Sequence, residues 1–208
     1  MSKYTRIYGI GKHEDDYIQF EADKNVLLHD YDHYEKYVKG CEFCVRNDDR
    51  YKAYISKLKS AGYNNCAVFG DVVEKGGDKL KLEMHHGPLF NLFDYCNIVL
   101  KYHLVRDDMK SITTYDIGSE VLDCHEKDWI MISMLSKTAH VGAHFSDLFI
   151  DIKATIGRVD KFIDHYTEGM SNEHWEMIER YLKACKEADH KTTDQSVFDV
   201  ADKLKKFK

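Results

Sequence analysis

Leu82-Glu83-Met84-His85-His86-Gly87-Pro88 and, further along, His140-Val141-Gly142-Ala143-His144 decide how this chain is read. In the first stretch an alternating apolar run, Leu80, Leu82 and Met84, ends in two adjacent imidazoles and stops at Gly-Pro. Lys79 to His85 therefore reads as a strand, Gly76-Gly77 as a hairpin turn before it, and Cys66 to Val73 as its partner. Strand parity puts Leu80, Leu82, Met84 and His86 on one face and Lys81, Glu83 and His85 on the other. In the second stretch the histidines are four residues apart. On a helix beginning at Ser136 or Lys137 their rings leave one face a turn apart, which suits two ligands on one cation. Neutral imidazole is the commonest metal ligand and suits zinc and its neighbours. Four histidines in this order point to a common centre.

Working outward, helical spacing recurs on both sides. Asp32 to Val38 reads as a short helix. Asn47 reads as the cap of another, with Tyr51, Tyr54, Ile55 and Leu58 on one stripe and Gly62 as its end. Leu89 to Leu104 is helical and apolar, with Leu92, Phe93, Cys96, Val99 and Leu100 aligned. Thr113 and Asp116 have capping-box spacing ahead of a helix from Thr114 to His125. Trp129 to Leu135 has strand length, and so does Leu148 to Ile152. Helices are expected at Val159 to Tyr166, Asn172 to Lys186 and Ser196 to Lys206. Trp175, Ile178, Leu182 and Cys185 mark the buried side of the second, and Val197, Val200, Ala201 and Leu204 that of the third.

The chain has 208 residues, 43% hydrophobic and 32% charged, which is globular composition and not that of a disordered segment. Pro88 is the single proline, and no repeat or low-complexity linker divides the sequence. No apolar run nears the roughly 20 residues that span a bilayer, so no membrane partner is expected. Met1 to Arg6 lacks the apolar core of a secretory signal, so a cytoplasmic location is expected. The net charge of −6 argues against tracking long duplexes through phosphate contacts, although a bound cation brings its own positive charge to a phosphate. Of six cysteines, Cys41 and Cys44 alone form a C-x-x-C and are candidates for a structural zinc. Two further ligands would be needed, and Cys66 with His29 or His33 is the conceivable supply. Cys96, Cys124 and Cys185 read as small apolar residues, and reduced thiols are expected.

Glu83-Met84-His85-His86-Gly87-Pro88-Leu89-Phe90, Leu92-Phe93-Asp94, Glu120-Val121, His125 and Leu135-Ser136-Lys137-Thr138-Ala139-His140 together resemble a group of phage-encoded HNH-like, or ββα-metal, nuclease proteins. The resemblance runs from about Arg46 to Tyr166. It implies a divalent metal (zinc, magnesium or manganese) held by His85, His140 and His144, with His86 as the general base that takes a proton from water. One departure stands out. The family's asparagine, about nine residues before the helical histidine, has no counterpart, because Met131 stands there. Asn91 or Asn97 could take its place.

Other residues carry two readings each. His125 is a further site member or a half-buried helix-end histidine. Glu83 and Glu120 orient histidines or are surface charges. His13, His103, His165, His174 and His190 read as solvated. Arg46, Arg50, Lys52, Lys57 and Lys59, with Tyr51 and Tyr54, form either a phosphate-contacting helix or a solvated face over a tyrosine core. The expected fold is α+β and mostly helical. It comprises an N-terminal segment over residues 1–45, a ββα-metal core over 46–170 with a helical insertion at 89–127 before the metal-binding helix, and C-terminal helices over 171–208. The expected function is metal-dependent hydrolysis of nucleic acid, DNA before RNA. The alternative is a catalytically weakened relative on the same scaffold that binds nucleic acid or a host protein, in the host cytoplasm if phage-encoded.

Overall fold

The computed structural model describes residues 4–5, 18–19, 21–70, 81–106, 111–145 and 147–188. In chain order they form strands β1 (Tyr4–Thr5), β2 (Ile18–Gln19) and β3 (Glu21–Asp23), then helices α1 (Lys24–His29), α2 (Tyr31–Asn47) and α3 (Asp49–Ser60). Strand β4 (Leu82–His86), helix α4 (Leu92–Arg106), strand β5 (Ser111–Thr113) and helix α5 (Thr114–Glu126) follow. Strand β6 (Ile132–Ser136) leads to helices α6 (Lys137–His144), α7 (Val159–His165) and α8 (Asn172–Ala188). The strands pair antiparallel as β1–β2, β3–β5 and β4–β6. The α+β, mostly helical class is thus the one observed.

Side-chain caps explain where the helices start. Thr113 and Asp116 make the reciprocal capping box that their spacing implied, and Ser136 accepts from the Ala139 amide to begin α6. At the start of α8 the Ser171 amide donates to His174 Nδ1 at 3.0 Å. Asn47 is not a cap. Its side chain bonds back to the Phe43 carbonyl inside α2, and Asp48, in extended backbone, caps α3. Nor does the helix expected at Asp32 to Val38 stop there, because Asp30 caps α2 and the helix runs on to Asn47.

Tyr37, Val38, Cys41 and Val45 of α2 are buried in one core with Ile117, Val121 and Leu122 of α5. Close approach of these helices depends on Gly118, where a Cβ would lie 3.1 Å from Cys44 Cβ and 3.3 Å from the Cys41 carbonyl. Leu92, Cys96, Val99 and Leu100 of α4 fill the same core, as their stripe implied, and so do Ile178, Leu182 and Cys185 of α8. Each such apolar side chain contributes about 1.5–3 kcal/mol on full burial.

The partner of the His-His strand differs from the sequence expectation. Cys66 to Gly70 is a tight turn closed by one bridge, not a strand. Residues 71–80, with the expected Gly76-Gly77 turn, lie outside the described residues, as do the helix at 196–206, His13 and His190. Instead β4 pairs with β6, in the register Leu82 to Ser136, Glu83 to Leu135, His85 to Ser133 and His86 to Ile132. The helical insertion at 89–127 therefore falls inside the hairpin, between its two strands. All five residues of β6 are buried, which fits a strand covered on both faces. Its end at Ser136, opposite Leu82, starts α6 beside Glu83 and His85. Leu148 to Ile152 is not a strand either. The Asp147 and Leu148 amides turn back to the Gly142 carbonyl, and Asp151 caps a 3-10 turn at Ile152–Ala154.

Candidate metal centre

Successive side chains of β4 leave opposite faces, so the two histidines diverge. His85 shares a face with Glu83 and meets α6. Its ring centroid lies 5.0 Å from that of His140 and 5.1 Å from that of His144. Glu83 Oε2 is 2.6 Å from His140 Nδ1. A carboxylate can only accept there, so Nδ1 carries the proton and the Nε2 lone pair points away from Glu83, the tautomer a metal ligand needs. His140 Nε2 in turn faces His144 Nε2 at 3.1 Å. One ligand atom from each of His85, His140 and His144 lies within 4.8 Å of the others.

This donor set fits a cation. Two nitrogens at about 2.0–2.1 Å from a tetrahedral zinc-like ion are roughly 3.3 Å apart, close to the His140–His144 separation. The buried Nδ1 of His85 has no hydrogen-bond partner among the described residues, a deficit that typically costs about 1–3 kcal/mol. Burial, and then the His140 and His144 rings, push His85 down to about 4. Burial, and then His140, also lower His144. Both rings thus stay neutral and ready to ligate near pH 7. The hydrogen bond from His140 holds the Glu83 carboxyl below its usual range. Three imidazoles would leave a fourth position open on a zinc-like ion, and His144 is exposed, so this group of histidines faces outward. Gly87, at φ +122°, leaves the room this needs: a Cβ there would sit 3.0 Å from His85 Nε2.

His86 faces the other way, into the core. Its Nε2 is 2.9 Å from His125 Nε2, and His125 Nδ1 is 2.8 Å from the Val121 carbonyl. The carbonyl can only accept, so His125 Nδ1 is protonated and its Nε2 bears the lone pair. His86 Nε2 must then donate, which leaves the lone pair of His86 on Nδ1. Burial pushes His125 down to about 4 and, with the His125 ring next in weight, takes His86 well below its ordinary value. Tyr51 stacks on His86 at 5.9 Å, while Tyr51 and Tyr54 set their rings against His125 at 5.7 and 5.4 Å. His125 was legible as a candidate. The two tyrosines, read from the sequence as a buried stripe or as part of a nucleic-acid-contacting face, are the walls of this imidazole pair. His85 and His86 both line a cleft of about 360 Å³, together with His144.

A family model describing bacteriophage G278-like virion proteins matches residues 9–207. The chain belongs to that family. It is a phage protein, and the match takes in both ends of the sequence, beyond the Arg46 to Tyr166 stretch that carries the HNH-like resemblance. No curated protein and no solved structure matches the chain. Among the described residues no helix is long and apolar enough to cross a membrane.

The remaining candidates of this virion-family chain sort by geometry. Asn91 caps α4, exchanging hydrogen bonds of 2.9 Å each with Asp94, and lines the cleft. Asn97 accepts from the Tyr34 hydroxyl. Their partners are Asp94 and Tyr34, and the His86 ring nitrogen is instead taken by His125. Cys41 is buried, Cys44 bonds Thr114 and Cys66 bonds Ser136. Among the described residues the three histidines are the sole group able to hold a metal, so the Cys41–Cys44 zinc site is not assembled there. Glu120 orients a histidine, but it is His103, at 2.7 Å. His103 and His174 are therefore not solvated: the first is hydrogen-bonded to Glu120 and the second is buried at 3% exposure. On the basic helix α3, Tyr51 and Tyr54 are buried and Arg50 is held by Asp123 and Glu126.

Proposed function

We propose that this phage protein is a metal-dependent phosphodiesterase of HNH type that hydrolyses nucleic acid, DNA in preference to RNA. The observation that carries this reading is the division of labour at β4: three imidazoles converge on one side, and one buried, tautomerically fixed imidazole stands on the other, with both sides reaching one cleft. His85, His140 and His144 would hold one divalent cation (zinc, magnesium or manganese), which when bound supplies positive charge to a phosphate and its leaving oxygen. Glu83 fixes the His140 tautomer. His86 takes a proton from the attacking water at Nδ1, and His125 accepts from His86 Nε2 and keeps that lone pair in place. In this reading His125 does the orienting work for which the HNH-like pattern uses its asparagine.

The test is cleavage of single- and double-stranded DNA and RNA by the full chain with Mg²⁺, Mn²⁺ or Zn²⁺, and with chelator. The expected result is cation-dependent cutting that disappears in His86→Ala. Family membership favours a second reading, in which the same scaffold binds nucleic acid or a host protein as part of the phage particle without cutting. A protein that binds metal yet cuts nothing under any of these conditions selects that reading. Its presence in purified particles, measured by mass spectrometry, decides whether it travels with the virion or stays in the host cytoplasm.

A further inference from the structure

The cleft beside the three-histidine centre has two unlike walls. Phe149, Ile150, Met177 and Tyr181 form an apolar one, with the Phe149 and Tyr181 rings 5.9 Å apart. Phe149 is left 44% exposed, a large aromatic surface facing solvent. Asn91 and Asp94 stand on the polar wall. Their reciprocal bonds use Asn91 Oδ1 and Asp94 Oδ2. Asn91 Nδ2 and Asp94 Oδ1 remain without a partner among the described residues, a donor and an acceptor on adjacent, mutually braced side chains. Among the described residues, no lysine or arginine lines the cleft. The volume of about 360 Å³ lies near the lower end of small-ligand sites.

We infer that this cleft receives one unpaired nucleobase, so that the substrate is single-stranded or locally opened nucleic acid. The inference rests on the phosphodiesterase reading for its setting, and it adds the substrate class. A base offers a π-face to Phe149 and Tyr181, and its Watson–Crick edge carries adjacent donor and acceptor groups that suit Asp94 Oδ1 and Asn91 Nδ2. In a duplex that edge is already paired and the face is stacked. A charged backbone running through the cleft would find no lysine or arginine among the described lining residues, whereas a phosphate at its mouth would lie beside His85 and His144.

The experiment is equilibrium binding of a short single-stranded oligonucleotide and of its duplex to the full chain, with chelator present to prevent cutting, and with free deoxynucleosides as competitors. The inference expects the single strand to bind at least about tenfold more tightly, and deoxynucleosides to compete. Phe149→Ala should weaken single-strand binding by about tenfold or more, the range seen when a stacking aromatic is removed. Asp94→Asn should change which nucleoside competes best, and metal content should be unaltered in both variants. Equal affinity for duplex and single strand, no competition by nucleosides, or an unchanged affinity in Phe149→Ala would overturn it. Metal-dependent hydrolysis of bis(p-nitrophenyl) phosphate separates the two levels. Turnover of that ester without base selectivity sinks the pocket alone, while base-selective binding without any turnover sinks the phosphodiesterase reading and leaves the pocket standing.

Discussion

On the Glu83 face of β4, three imidazoles meet at an exposed edge, and one of them keeps a buried nitrogen without a partner among the described residues. On the opposite face, His86 and His125 pack against Tyr51 and Tyr54, and their facing nitrogens are matched donor to acceptor. The first arrangement offers nitrogens close enough together to share a cation. The second is complete without one and admits a single tautomer. Two neighbouring residues of the same type thus acquire different chemistry from the face each one leaves. The difference suits a cation on one side and a moving proton on the other.

The largest expected effect breaks the proton side alone. His86→Ala should lower cleavage by about 10²–10⁴ while metal content stays at the parent level, as read by rate measurements beside metal analysis. Loss of metal in His86→Ala, with retention in His85→Ala, would reverse the two assignments. A smaller effect is expected from the carboxylate behind the cation side. Glu83→Gln should weaken metal affinity by about 10–100-fold, measured by competition with a chromophoric chelator, and unchanged affinity would make Glu83 a surface charge after all.

These contrasts were only partly visible in the sequence. The spacing of His140 and His144 and the parity of Glu83, His85 and His86 are local, and they placed the right side chains on the right faces. The capping box at Thr113 is local too. Contacts that cross the insertion were not legible in detail: the His86–His125 bond spans 39 residues, and the pairing of β4 with β6 depends on how α4 and α5 return the chain. The Cys66 to Val73 stretch was apolar enough to suggest a strand, yet its beginning folds as a turn, with the Gly70 amide donating to the Cys66 carbonyl at 2.7 Å.

Acid should distinguish buried imidazoles from ordinary ones. His125 and His174 are held neutral, each at about 4 against an ordinary 6.5, by burial in both cases. Between those values the unfolded chain binds more protons than the folded one, so stability rises with pH from about 4 to 6.5 and is level above. For a fully buried group such as His125 the loss across that window is about 3 kcal/mol. Urea unfolding of metal-free protein should therefore give a clearly lower midpoint at pH 4.5 than at pH 7.5. In His125→Phe that difference should shrink, and an undiminished pH dependence would contradict the buried neutral pair. The smallest effect belongs to α3. Arg50→Ala removes exposed ion pairs to Asp123 and Glu126 and should change stability by no more than about 1 kcal/mol, with oligonucleotide affinity unaltered; a marked fall in affinity would restore α3 as a phosphate-binding face.

Metal stoichiometry tests the central claim most directly. Protein purified from metal-replete medium without chelator, and analysed by inductively coupled plasma mass spectrometry, should carry about one divalent cation per chain. His140→Ala and His144→Ala should each lose most of it while keeping the helical circular dichroism of the parent, because alanine is a good helix former. A parent chain that carries no divalent cation, and gains none on dialysis against Zn²⁺, Mn²⁺ or Mg²⁺, would contradict the account.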